Sequence, residues 1–156
     1  MAIADKLKTY LNDKSASYQL VAHPRTGSSM ETAEAAHVPG DQLAKAVIVK
    51  DKEHYAVVVL PSDHHLDLEN VGLQLDSTIA MATEEELASL FPDCIIGAIP
   101  PLGDAYGIKT LLDTSLEQQA VIYFEAGDHE QLVETSGEQF RRLMANAVTG
   151  RFSHHI

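Results

Sequence analysis

The feature that most constrains this chain is a run that does not alternate, Val57-Val58-Val59-Leu60. A strand with one wet face alternates apolar and polar residues. Four apolar residues in succession call for a strand covered on both faces. Just upstream, Lys45 to Val49 is also rich in Val and Ile. The segment between, Lys50-Asp51-Lys52-Glu53-His54, has the length and polarity of a turn, so Lys45–Val49 and Tyr55–Leu60 form a hairpin.

The flanking elements follow from periodicity and punctuation. Ile3, Leu7, Tyr10 and Leu11 recur at helical spacing, predicting a helix over residues 2 to 13. Tyr18 to Ala22 reads as a strand, ended at His23-Pro24 because proline disfavours helix before it. After the loop Arg25-Thr26-Gly27-Ser28-Ser29, a short helix runs from Met30 to about His37. Pro61 to His65 leads into a helix around Leu66 to Val71, and Asp76 to Ala82 has no clear period. Thr83 with Glu86 is a capping box for a helix through Leu90. Ile108 to Asp113 and Ala120 to Phe124 are strands, and Glu125 to His129 is a turn. Leu132 and Val133 begin a last strand, Ser136 with Gln139 caps a last helix, and Thr149 to Ile156 reads as a frayed tail. Strands paired through short turns, with helices placed irregularly, give an α+β fold with a mixed, largely antiparallel sheet. With 156 residues, residues 1–156 are expected to form one domain.

Charge and cysteine content narrow the function. A net charge of −12, from 23 acidic and 11 basic residues, argues against a protein that coats nucleic acid or anionic membrane. No DNA partner is expected, and RNA binding would be weak or assisted by another protein. One cysteine, Cys94, excludes a disulfide framework and fits a reducing compartment. There is no signal-peptide run and no stretch near the ~20 apolar residues of a membrane span, so cytoplasm is the expected location.

Three features could carry chemistry. The loop Gly97-Ala98-Ile99-Pro100-Pro101-Leu102-Gly103 has two fixed φ angles and permissive glycines at its ends. It is either a rigid turn or a backbone surface presented to a ligand. Lys45 opens an apolar strand. It is an edge-strand gatekeeper, a stem that snorkels past neighbouring apolar residues, or a cation held on a rigid element and aimed at a phosphate or carboxylate. His129 follows a Gly-Asp turn, as a solvated residue, a hydrogen-bond donor or a general base. Asp63-His64-His65 with Asp67, and His154-His155, have poor ligand spacing, since adjacent histidines point in different directions. No metal or other cofactor is expected. Cys94 reads as a small buried hydrophobe.

In order, Leu43 to Val49, Ala56 to Asp63, Gly97 to Gly103, Ile108 to Asp113 and Ala120 to His129 resemble the YbaK/prolyl-tRNA-synthetase-associated domain family, over roughly residues 18 to 145. The resemblance implies a barrel-like sheet flanked by helices, with a pocket for the acylated 3′ end of a tRNA. It implies hydrolysis of the ester of a mischarged tRNA, with Lys45, Gly97 and His129 as the catalytic set. Pro101 would complete the Gly-x-x-x-Pro loop, with Pro100 and Gly103 beside it. Thr26, Ser29 and Met30 would contact substrate. Water would attack the ester directly, helped by a ribose hydroxyl of the tRNA. Alanine or cysteine on proline tRNA is the expected cargo, the tRNA acceptor end the expected partner, and a synthetase an expected helper. A catalytically silent binding module of the same fold is the alternative. The sequence has Ala46 where the family often has Thr.

Overall fold

The structure is a computed structural model that describes residues 3–156. Its elements, in chain order, are α1 (Asp5–Asp13), β1 (Gln19–Ala22), α2 (Ser29–Ala35), β2 (Leu43–Lys50), β3 (Tyr55–Pro61), β4 (His64–Leu66), α3 (Leu68–Leu75), β5 (Ala80–Met81), α4 (Glu84–Leu90), β6 (Lys109–Asp113), β7 (Val121–Glu125), β8 (Gln131–Ser136), α5 (Gly137–Leu143), β9 (Val148–Gly150) and β10 (Ser153–His155). Short 3-10 turns cover Gly40–Gln42, Gly103–Tyr106 and Thr114–Gln118. The helix predicted from residue 2 begins at Asp5; Ala2 lies outside the described residues.

The main sheet runs β1-β8-β7-β2-β3-β6-β9, with β5 on the far end of β2. The β2–β3 hairpin is antiparallel, with Val47 opposite Val58. β2 pairs with β7 in parallel, and β6 pairs in parallel with both β3 and β9. The sheet is therefore mixed, as expected. It is an open path rather than a closed barrel, so "barrel-like" describes it only loosely.

The run in β3 behaves as its sequence demands. Val57 and Val59 pack into one apolar cluster with Leu7, Leu11, Phe124 and Phe140, while Val58 and Leu60 face a second cluster with Val71, Leu111 and Phe152. All four are fully buried. Burying each such side chain stabilises the fold by roughly 1.5–3 kcal/mol, so this strand is a large part of the driving force.

Two locks fix the elements around the β2–β3 hairpin. The predicted capping box is present: Thr83 Oγ1 accepts from Glu86 N at 3.2 Å and Glu86 Oε1 accepts from Thr83 N at 3.0 Å. Glu86 also accepts from Lys50 Nζ at 2.6 Å and from the Tyr55 hydroxyl. These donors, with Lys50 the largest influence, hold its carboxyl down at about 2. They bolt α4 to the hairpin. Ala82 N donates to Ile48 O at 2.9 Å, which seats β5 and the start of α4 along β2.

Two expectations are corrected. His64–Leu66 is a strand, and the helix begins only at Leu68, where the Asp67 carboxylate caps it by accepting from Asn70 N. The C-terminal tail is not frayed. β9 pairs with β6 and β10 pairs with β4. Phe152 between them is 2% exposed, and its N–H donates to Asp113 Oδ1 at 2.8 Å. Burial of one aromatic ring and satisfaction of one buried carboxylate order a segment that shows no local periodicity.

Candidate functional site

A cleft of about 350 Å³ opens beside β2, walled by Leu43 to Ile48, Met81, Ala82, Glu84 and Leu87. Gly27 to Ser29, Ile96, Gly97, Ile99, Glu125 and His129 complete its lining. This volume is at the small end of ligand sites. Lys45, Gly97, His129 and Ser29 thus share one cavity, although the chain separates them widely. A larger groove, about 620 Å³, lies between the β2–β3 turn and Tyr106 to Lys109 and holds none of the predicted site residues.

Lys45 sits near the start of β2, and its Nζ donates to His64 O at 2.8 Å and Ser62 O at 3.4 Å. Burial lowers its pKa, opposed by the charge of Asp63. An ammonium has three N–H donors, so two carbonyls leave one for a ligand. The edge-gatekeeper reading does not describe this strand, because β2 lies inside the sheet between β7 and β3.

Gly97 adopts φ +96°, a backbone that other residues rarely take. A Cβ there would meet His129 Cε1 at 3.6 Å and Nδ1 at 3.9 Å, so the imidazole lies against the Gly97 α-carbon. The loop is tied to the β7–β8 turn by Ile95 N donating to Gly127 O at 2.8 Å. That turn is built by Asp128, whose Oδ1 accepts from Glu130 N and Gln131 N, both at 3.0 Å. His129 is thereby held at φ +58°, an unusual conformation for a residue with a side chain. It is half-buried and not a freely solvated turn residue.

The other named residues fall around this centre. Pro100, Pro101 and Gly103 are buried and do not line the cleft; they brace the segment that carries Gly97 and Ile99. Gly103 packs against Thr110 and Ile108. Thr26 bonds Thr32 and Ser28 O, and so shapes the loop whose Gly27, Ser28 and Ser29 reach the cleft. Met30 is 46% exposed and does not line the cavity. Cys94 lies outside it, bonded to Tyr106 and Asp93, its thiol pushed up to about 12 by burial. His64 pairs with His155 and His65 with His154 as ring contacts across β4 and β10, at 5.5 and 5.8 Å.

Two residues of the site were not singled out from the sequence. Glu125 lines the cleft, and its Oε1 lies 3.0 Å from Nε2 of His23, whose side chain is fully buried. Burial pushes the Glu125 carboxyl up to about 7, against the pull of His23. Burial, then the charges of His23 and Arg25, lower the pKa of His129. The available signal was a carboxylate directly after the apolar strand Val121 to Phe124, where a charge must be either solvated or paired.

The sequence profile of the aminoacyl-tRNA editing domain matches residues 23–143. Three solved structures share the fold. A hypothetical protein, APE2540, aligns with TM-score 0.84 at 21% identity, over 96% of this chain and 100% of its own. A candidate trans-editing enzyme for prolyl-tRNA synthetase aligns with TM-score 0.82 at 20% identity, over 96% of this chain and 95% of its own. A candidate signal transduction protein from Marinobacter aquaeolei VT8 aligns with TM-score 0.77 at 19% identity, over 97% of this chain but 31% of its own.

Proposed function

Because this chain belongs to the aminoacyl-tRNA editing domain family, we propose that it is a deacylase that hydrolyses the ester of a mischarged tRNA, with alanine or cysteine on proline tRNA as cargo. The observation that supports this reading is the convergence of Lys45, Gly97 and His129 on one cleft of about 350 Å³. In this proposal the side chains that line the cleft, rather than its total volume, admit a small aminoacyl group and exclude a larger one. A single methylene is worth only about 1–3 kcal/mol of discrimination, so exclusion of bulk is the stronger filter.

The residues take distinct roles in this proposal. Lys45 offers its remaining N–H to the ribose or terminal phosphate of the acceptor end. The backbone at Gly97, stiffened by Pro100, Pro101 and Gly103, holds the ester carbonyl against a polar group. His129, lying against Gly97, orients the ester or the attacking water. Gly27, Ser28 and Ser29 meet the substrate, Thr26 shapes the loop that carries them, and Met30, outside the cleft, would touch only a part of the substrate that extends beyond it. Water attacks the ester carbon, the ribose oxygen leaves, and a ribose hydroxyl assists. The protein contributes chiefly position and polarity.

No helix among the described residues is long and apolar enough to cross a membrane. A net charge of −12 opposes long-range attraction to tRNA and makes unassisted binding weak. A synthetase that presents the tRNA is therefore part of the proposal. The same charge favours a second reading, a binding module without turnover. Incubation with Ala-, Cys- and Ser-charged tRNA, following ester loss, separates the two: a deacylase empties at least one of them faster than buffer does, and a silent module empties none.

A further inference from the structure

The charged groups of the cleft are arranged as two poles. Lys45 follows the last paired position of the β2–β7 ladder, Ala44 opposite Phe124, and Glu125 follows on the other strand. Both line the cleft. Yet Lys45 Nζ is turned to the carbonyls of Ser62 and His64, and the Glu125 carboxylate is turned to His23.

His23 fixes the orientation of the Glu125 carboxyl. The ring Nδ1 lies 2.7 Å from Pro24 O, a pure acceptor, so Nδ1 carries a proton. Nε2 then faces Glu125 either as an imidazolium donor or as the acceptor from a protonated carboxyl. In both cases the pair shares one proton, and Oε1 is occupied. Oε2 is left 4.0 Å from His129 Nε2, beyond hydrogen-bonding reach. Burial, then the charge of His23, lowers the pKa of His129 and so disfavours a full charge against Oε2. Asp128, a like charge on the β7–β8 turn, also acts on this carboxyl, while Lys45 beside it on β2 is turned to the carbonyls of Ser62 and His64. The Glu125 side chain is only 10% exposed, so this oxygen sits in a largely dry wall.

A substrate of the class proposed above carries an α-ammonium group. Taken among Leu43, Ile48, Leu87 and Ile99, that cation needs an anion, because an unpaired charge is costly to bury. The cleft offers two carboxylates, Glu84 and Glu125. Glu84 is exposed in the first turn of α4. Lys45 repels the ammonium and suits the phosphate or ribose end. We propose that Glu125 Oε2 receives the α-ammonium group of the substrate, which makes the site selective for aminoacyl esters with a free amine over N-acylated ones. The inference rests on the deacylase reading for its substrate but not for its test. His23 acts as the positioning residue that keeps Oε2 turned to the cleft.

The test uses two non-hydrolysable amide-linked analogues, 3′-alanylamino-adenosine and its N-acetyl form, with binding followed by calorimetry on the full chain. Wild type should bind the free amine tighter by ten- to a hundredfold, on the order of one charge-assisted hydrogen bond. Glu125→Gln should abolish that preference, and Glu125→Asp should restore part of it. Because acid protonates Glu125, the wild-type preference should also shrink from pH 8 to pH 5, which needs no variant to fold. Equal binding of the two analogues by wild type, or an undiminished preference in a folded Glu125→Gln, overturns the proposal. Absence of turnover on charged tRNA, with the preference intact, would count against the deacylase reading alone.

Discussion

Lys45 and Glu125 stand side by side at the open end of the β2–β7 pair, and their opposite charges are held apart by separate partners. Two neighbouring ions of opposite sign would ordinarily pair and neutralise one another. Here the carbonyls of His64 and Ser62 take the ammonium, and His23 takes the carboxyl. The cleft keeps a cationic end and an anionic end, which suits a substrate with a phosphate at one side and an amine at the other.

Lys45→Ala removes the cationic end. Deacylation should fall by about 10²–10³, the usual cost of deleting one electrostatic contact to a reacting group. The carbonyls of Ser62 and His64 lose a donor, so stability should fall by about 1–3 kcal/mol. Circular dichroism should be unchanged, since the strand itself stays paired. Turnover like that of wild type by the folded variant removes Lys45 from the mechanism.

Glu125 makes stability depend on pH in a specific direction. Burial raises its carboxyl to about 7 in the fold, against an ordinary 4.5. The folded state therefore binds the proton more tightly than the unfolded chain does. That contribution is present in full below pH 4.5 and is lost as pH rises through 7. Its size is up to about 3 kcal/mol for a shift of this extent. Glu125→Gln carries no titrating charge, so its stability relative to wild type should rise between pH 4.5 and pH 7. Urea midpoints at pH 5 and pH 8 measure this, and parallel behaviour of the two proteins contradicts it.

Two glycines of one loop should fail differently. Gly97→Ala keeps its space but meets an unfavourable φ of +96°, a cost of about 1–3 kcal/mol. Relief of that strain moves the backbone beside His129, so activity should drop more than stability. Gly103→Ala puts a Cβ 2.7 Å from Ile108 O and 2.2 Å from Thr110 Oγ1. The backbone must shift there, and loss of stability should dominate. Thermal midpoints and deacylation rates, measured on both variants, check the contrast.

Asp113 ties the C-terminal tail to the sheet. Its Oδ1 accepts from Phe152 N, and Oδ2 accepts from the Ser115 amide and hydroxyl. Asp113→Ala strands one buried donor, Phe152 N, and two half-buried ones on Ser115, and should cost about 1–3 kcal/mol. Hydrogen exchange at residues 148–155 should accelerate. Protection equal to wild type would mean that β9 and β10 hold by strand pairing alone.

The hairpin, the Thr83–Glu86 capping box and the Ser136 cap were legible because each is written within a few consecutive residues. The tail was not. β9 and β10 are three residues each, and their partners, β6 and β4, lie far back in the chain, so no local period betrays them. The same limit hid the heart of the anionic end. His23 and Glu125 are 102 residues apart, and either alone reads as punctuation: one before a proline, one at the entrance to a turn. Gly97 and His129 stood out locally, one at an end of a proline-stiffened loop and one following a Gly-Asp turn, but only family resemblance joined them in one site, since nothing in their own neighbourhoods announces that the imidazole rests on the glycine.

The most direct measurement is single-turnover ester loss from proline tRNA charged with alanine, beside the same tRNA charged with proline, with purified full chain in excess. The account predicts that alanine is released far faster than in buffer, while proline, the larger group, is spared. Loss of alanine at the buffer rate, both with the chain alone and with a prolyl-tRNA synthetase added, would contradict it.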